Sequence, residues 1–165
     1  MTDGVIKTQG THLFLVDSVT TPETPAIVKM ACPTGITGMG AGARTQIDST
    51  CLDALVDQES MAGLGAPGTI SVPFNFIPKA ASHRGILTTL KDSGETLTWI
   101  VGFSDGTSVP TLDSDGDPEW PTQRTAARFQ AYITEVVIDV NTNDRVVGTL
   151  TLQRSGPVTW NFKTA

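Results

Sequence analysis

Apolar and polar residues alternate with a period of two along much of the chain, which predicts strands with one dry face and one wet face. Residues 69–76 set Ile70, Val72, Phe74 and Phe76 against Thr69, Ser71 and Asn75. Residues 95–103 place Leu97, Trp99, Val101 and Phe103 on one face. Residues 145–154 oppose Val146, Leu150 and Leu152 to Arg145, Thr149, Thr151 and Gln153. Near the end, Val158, Trp160 and Phe162 alternate with Thr159, Asn161 and Lys163, which puts Trp160 on an apolar face. Weaker strands are predicted at 11–17 and 26–32. Pro73 lies on the polar parity of its strand and has no N–H to give a ladder, so that strand is expected at an edge or a bulge.

The run 127–140 carries a change of phase. Ala127, Phe129, Ala131 and Ile133 share one parity, whereas Val136, Ile138 and Val140 share the other. A bulge or a crossing between sheets produces such a flip. As one strand the run would reach roughly 45 Å at about 3.3 Å per residue; two ordinary strands joined by a kink give the same pattern. One helix is predicted between Pro78 and Asp92, with Ala80, His83, Leu87 and Leu90 on one face, Pro78 in the first turn and Gly94 at the exit. Two stretches show no period: 33–68, rich in Gly, Ala, Thr and Asp, and the acidic loop 107–125 with three prolines. Loops of such length in a compact domain are commonly functional or become ordered against a partner. The expected architecture is mainly β: a single domain over 1–165, a β-sandwich with one flanking α-helix and long loops.

Composition narrows the function. The 165 residues carry a net charge of −6. Seven acids and no base fall between Asp92 and Glu119, while the first 91 residues sum to −1 and the last 46 to +2. A clamp on nucleic acid needs clustered cations to displace phosphate counterions; this chain has no such cluster. No stretch approaches the ~20 apolar residues of a membrane span, and the first residues lack the basic and apolar regions of a secretory signal, so folding in a cytoplasm is expected. Cys32 and Cys51 form no CxxC pair, and His12 and His83 do not flank them. They are expected as buried, reduced thiols, not zinc ligands.

Catalytic chemistry finds few players. His12 sits in a strand beside Phe14 and His83 on the apolar helix face, both in structural roles. GxSxG, HExxH and GxxxxGK[ST] patterns are absent, and the Gly-rich run 34–42 lacks the lysine of a phosphate loop. The sequence Asp113-Ser114-Asp115-Gly116-Asp117-Pro118-Glu119 imitates a calcium loop, but its glycine stands at the fourth position instead of the sixth and no helices flank it. A solvated acidic loop tip is expected there. No catalytic residue, cofactor or metal is assigned.

The order of short motifs supplies a further reading. Pro67-Gly68-Thr69 opens a strand, and the helix ends in Ser93-Gly94-Glu95-Thr96. A strand and Ser104-Asp105-Gly106-Thr107 follow, then the long strand, then the run from Val147-Gly148-Thr149 to Arg154-Ser155-Gly156-Pro157. With Gln9-Gly10-Thr11 before Leu13-Phe14-Leu15, and Ile47-Asp48-Ser49-Thr50-Cys51-Leu52, this order resembles the tail tube proteins of siphophages, the family of the lambda tail tube subunit. The resemblance spans nearly the whole chain. It departs in one respect: the lambda subunit has an additional C-terminal Ig-like domain, and this chain is expected to hold the tube domain alone.

The resemblance implies a structural subunit of the virion tail. Homohexameric rings would stack into a tube, the strands of neighbours joining in a continuous β-barrel around a conduit for DNA ejection. It implies assembly in the host bacterial cytoplasm, with a tape-measure protein, a tail terminator and a baseplate or tail-tip hub as partners. Double-stranded DNA would pass transiently and non-specifically, with no membrane anchor. The polar strand parities then offer Gln130, Thr134, Asp139, Thr149, Thr151 and Gln153 as lumen-facing candidates. Arg128 shares that parity and is expected at a subunit boundary, paired with a carboxylate. Inter-ring contacts are expected from the N-terminal arm 1–10, the loop 33–68 and the C-terminal tail. Their candidate residues are Gln9, Thr11, Ile36, Met39, Ile47, Asp48, Leu52 and Phe162. Two alternatives stay open: another phage tail structural protein, and a β-sandwich module binding carbohydrate or a receptor, with Trp120 as its exposed aromatic.

Overall fold

The computed structural model describes residues 4–164; Met1, Thr2, Asp3 and Ala165, the first three belonging to the expected N-terminal arm, lie outside the described residues. Eleven strands and one helix follow in order: β1 (His12–Asp17), β2 (Ala26–Lys29), β3 (Arg44–Asp48), β4 (Ser60–Gly65), β5 (Thr69–Asn75), the helix α1 over 81–93, β6 (Leu97–Gly102), β7 (Thr111–Leu112), β8 (Pro118–Glu119), β9 (Ala126–Asp139), β10 (Val147–Arg154) and β11 (Thr159–Asn161). Seven of them form one antiparallel sheet in the order β2-β1-β6-β9-β10-β5, with β11 also on β9.

The long alternating run is one strand of 14 residues, not two. Its first half pairs with β6 through Ala126–Ala131 and with β11 through Ala126–Arg128. Its second half pairs with β10 from Ala131 to Asp139. The ladder slips where Thr151 faces Glu135 but Leu152 faces Ile133. Thr134 is therefore the extra residue of a bulge, and its hydroxyl donates to the Thr151 carbonyl at 3.0 Å. The bulge is why the sequence phase flips without turning the strand over. Phe129, Ala131 and Ile133 before it, and Val136 and Ile138 after it, pack into the same core.

The sheet curls until its two ends nearly meet. Leaving β2, the chain turns at Cys32, held at φ 44°, and crosses to β5 at the other end of the sheet. Thr34 N–H donates to Pro73 O (2.8 Å), Thr37 and Ser71 exchange both backbone bonds (2.9 and 3.0 Å), and Asn75 N–H donates to Cys32 O (3.1 Å). Pro73 thus lies on a terminal strand, and its missing donor faces this bridging segment, leaving the β10 ladder whole. The sheet is not closed by strand pairing. Its halves share one core in which Leu13, Ile70, Phe74, Trp99, Val101 and Leu150 are almost wholly buried. Trp99 donates its indole N–H to Ala131 O (3.1 Å), so its polar atom is satisfied.

The helix begins at Ala81, three residues after Pro78, includes a π-helical turn at Ile86–Leu90, and ends at Gly94 with φ 65°. It buries Ser82, His83, Ile86 and Leu90. Ile86, not Leu87, is the core residue of its middle, Leu87 being half-buried. Both nitrogens of His83 are used: Nδ1 accepts from Ile77 N–H (3.0 Å) and Nε2 donates to Ala31 O (2.7 Å). The ring lies against Phe74 and Phe76, a structural role as expected.

Three expectations are corrected. Cys32 and Cys51 are exposed, because both sit in turns outside the sheet. The aperiodic stretch 33–68 contains the β3–β4 hairpin, which has no dry face, so no alternation marks it. Within 107–125, β7 and β8 form a short ladder around the turn at Gly116.

The bulge makes a test of the fold. Deleting Thr134 removes the extra residue and leaves Ile133, Val136 and Ile138 on one parity with Glu135 and Asp139 on the other, so cooperative unfolding as followed by circular dichroism is expected to survive. Deleting Val136 instead puts one of the two carboxylates on the dry parity whether or not the bulge is kept, and is expected to abolish it. Thr134→Ala, which loses one exposed hydrogen bond, is expected to cost only about 1 kcal/mol.

Candidate assembly surfaces

One face of the sheet is dry; the other is covered over β1 and β6, where Phe14, Ile100 and Ala126 form a second small core, and wet over β9 and β10, where it collects all six lumen candidates. Gln130 and Thr134 point outward from β9, with Asp139 at its end. Thr149, Thr151 and Gln153 stand half-buried beside them on β10, between inward Leu150 and Leu152. Cross-strand neighbours bring Thr151 opposite Glu135 and Gln153 opposite Tyr132. The helix contributes Ile86 and Leu90 to the core on the other side. Glu135 belongs to this face and had no signal of its own, because the bulge places two successive residues outward. The outward positions of β9 beyond the bulge and of β10 carry Glu135 and Asp139 and no base.

The same strand has an open edge. Residues 132–139 of β9 pair with β10 on one side and, among the described residues, with no strand on the other, since β6 ends its pairing at Ala131. Arg128 lies further along the wet face, stacked 4.6 Å from the Trp120 ring and donating to Pro118 O (2.8 Å). Within one copy Arg128 thus meets an aromatic ring and a carbonyl and no carboxylate. Trp120 is half-buried under it, against Phe14, Ile100 and Ala126, so the aromatic proposed for a ligand-binding module is occupied.

The aromatics that are exposed are different ones. Trp160 is 43% and Phe162 69% exposed. They stack in a row with Phe103, at 5.9 Å and 6.0 Å between centroids. Trp160 was expected on a buried face; β11 has only three residues and flanks β9 without a cover, so the alternation of its sequence does not report burial there.

The inter-ring candidates fall into groups. Gln9, Thr11, Ile36 and Met39 line one cleft of about 630 Å³, together with Ile6, Val101 and Phe103. Ile47, Asp48 and Leu52 lie on the β3–β4 hairpin, and Phe162 ends the aromatic row. At the hairpin tip Leu52, Leu55 and Val56 are exposed at 108%, 95% and 89%. Leu55 and Val56 were not singled out, although an apolar cluster between Asp53 and Asp57 in an aperiodic loop was a usable signal. The tip is ordered internally. Asp48 accepts from Thr50 N–H (2.9 Å) and Gln58 (3.0 Å), and these hydrogen bonds, Thr50 first, hold its carboxyl below the usual range. At the hairpin root Arg154, almost buried, donates to Ala41 O (2.7 Å).

A second buried arginine ties the N-terminal arm to the sheet. Arg124 is 1% exposed and donates to the carbonyls of Phe103, Gly102, Gly10 and Ser108 at 2.6–2.9 Å. A Cβ on Gly102 would stand 2.7 Å from its guanidinium carbon, so glycine makes room for the charge. Nothing in the hydrophobic pattern marks Arg124. His12 Nδ1 lies 3.3 Å from its Nη2 and must accept, since a guanidinium only donates.

In the acidic loop Asp113 spends one carboxylate oxygen on the N–H groups of Asp115 and Asp117, both at 2.9 Å. That is the chemistry of a capped turn. Among the described residues no group of three or more His, Cys, Asp or Glu could hold a metal ion, and no helix is long and apolar enough to cross a membrane.

Residues 4–164 match the family described as phage tail tube, TTP, lambda-like. The chain belongs to that family. It is a structural, non-enzymatic component of a phage tail tube and so of the virion. A relative, structural protein 3 of Pseudomonas phage PAJU2, is 34% identical over 158 residues, covering 93% of this chain and 92% of its own. The tail tube fold also recurs at low identity. A chain from the sixfold-symmetrised baseplate of the anti-feeding prophage has a TM-score of 0.66 at 11% identity, over 98% of this chain and 97% of its own. A chain from the tail of an empty GTA particle, refined helically with C6 symmetry, has a TM-score of 0.64 at 13% identity, over 96% of this chain and 100% of its own.

The burial of His12 beside Arg124 gives this tail tube chain a pH dependence. Burial first, then the charges of Lys29 and Arg124, lower the His12 pKa from its ordinary 6.5. The unfolded chain therefore takes up the proton first as pH falls. Stability is full above about 6.5 and is lost as pH falls through 6.5 toward the lower folded value. Urea midpoints are expected to fall between pH 7 and 5.5, and His12→Gln to flatten that slope.

Proposed function

We propose that copies of this chain form homohexameric rings that stack into a tube, with the wet face of β9 and β10 lining the conduit. The observation that carries this reading is the open edge of β9 at 132–139 beside outward positions of β9 beyond the bulge and of β10 that hold Glu135 and Asp139 and no base. An edge of that length offers unpaired N–H and C=O groups to the next copy. The surface presented to the hole, Gln130, Thr134, Glu135, Asp139, Thr149, Thr151 and Gln153, then repels phosphate and leaves DNA free to slide. The sixfold symmetry of the two assemblies named above supports six copies to a ring.

Contacts between rings come from the surfaces that stay apolar and exposed in one copy: the β3–β4 hairpin, the cleft beside the N-terminal arm, and the aromatic row ending at Phe162. The tube is assembled in the host cytoplasm, its length set by a tape-measure protein and its ends bound by a terminator and a baseplate or tail-tip hub. Double-stranded DNA is its transient cargo.

Negative-stain electron microscopy of concentrated protein is expected to show stacked rings with a central hole. Persistent monomers, even with the tape-measure and tail-tip proteins added, would overturn the reading. Glu135→Lys with Asp139→Lys is expected to leave tube length unchanged while particles release DNA several-fold more slowly, most strongly at low salt.

A further inference from the structure

The described chain exposes two unlike surfaces that match each other and that one copy cannot join. The first is the hairpin tip, where Leu52, Leu55 and Val56 stand almost fully in water. Around them are Asp48, Asp53, Asp57 and Glu59, and no base occurs between Arg44 and Lys79. Exposed apolar clusters rimmed by polar groups mark interaction sites. The second is the cleft of about 630 Å³ between the arm, the bridging segment 33–39 and the end of β6. Ile6, Ile36, Met39, Val101 and Phe103 give it apolar walls, and Lys7 is the one charged residue of its lining.

We propose that the hairpin tip of one copy seats in this cleft of a second copy, apolar side chains inward and tip carboxylates toward Lys7. This rests on the tube reading and names the receiving surface for the hairpin. The occupant is a second copy because each chain carries one finger and one cleft, opposite in charge. The chain's own tip is not in its cleft: the three apolar residues are exposed, and the hydrogen bonds of Asp48, Thr50, Gln58 and Glu59 are internal to the hairpin. A finger-to-cleft contact is heterologous, so every added copy presents a fresh finger or a fresh cleft and the assembly extends in one direction. A different protein as occupant would leave one of the two surfaces empty on each copy.

The test places a benzophenone side chain at position 55 and mixes this protein equally with isotopically heavy unmodified protein. Tubes are formed by concentration or, if that yields none, with the full set of tail proteins. After irradiation, mass spectrometry is expected to find position 55 joined to heavy peptides containing residues 6–11, 33–39 or 101–103. Tubes whose cross-links lie only elsewhere would overturn the cleft assignment and leave the tube reading intact. No tubes under either condition would overturn both. Leu55→Ser is expected to keep the monomer's thermal midpoint and to lower tube yield about tenfold or more at fixed concentration. An unchanged yield would also overturn the proposal.

Discussion

Most of this structure depends on one extra residue in one strand. β9 is shared by both halves of the sheet, and its 14 residues must keep a single face dry from Phe129 to Ile138. A regular strand bearing this sequence would bury Glu135 and Asp139 and expose Val136 and Ile138, reversing hydrophobic gain into charge burial over its second half. The bulge at Thr134 absorbs the mismatch and adds the bend that lets the two halves enclose one core. The outward placement of Glu135 and Asp139 follows from that geometry, beside the edge that β6 leaves unpaired beyond Ala131.

A curled sheet must hold its ends together, and here the means are polar. The segment after β2 bonds to β5 mainly through backbone groups, with the Thr37 hydroxyl donating to Ser71 O (3.3 Å) and the Asn75 amide to Cys32 Sγ (3.4 Å), which leaves the hairpin that follows it free to project. Arg124 ties the N-terminal arm to the end of β6. Its guanidinium is removed from water and each of its three nitrogens donates to a carbonyl of the arm, of the end of β6 or of the loop that follows it. Burial lowers its pKa and nearby Asp105 opposes that shift. A buried cation is costly unless its donors are met, so this network fixes where the arm leaves the body and shapes the cleft beside it. The surfaces assigned to assembly are thus held by rigid neighbours, while their own apolar side chains remain uncovered.

Legibility in the sequence followed burial on one face. Strands with a single dry face, β5, β9 and β10, declared themselves by alternation, and even the flip within β9 was visible. Where burial is absent or two-sided the pattern failed. The β3–β4 hairpin is wet on both faces; Ile100 is buried on the face opposite Trp99 by Phe14 and Trp120; Trp160 alternates correctly yet lies uncovered. The exchange of roles between Trp120 and Trp160 depends on which loop folds over which face, a tertiary fact that no local period encodes. Arg124 was silent for the same reason, since its partners are backbone carbonyls up to 114 positions away. The six polar candidates on β9 and β10 were legible because they required only parity, and the order of short motifs carried the family.

The most direct measurement of the central claim is hydrogen exchange along β9 in the free subunit and in assembled tubes. The account predicts that alternate amides of residues 132–139, those facing away from β10, exchange rapidly in the free subunit and become strongly protected in the tube. Equal exchange in both states would mean that the open edge stays open and that neighbouring copies are joined elsewhere.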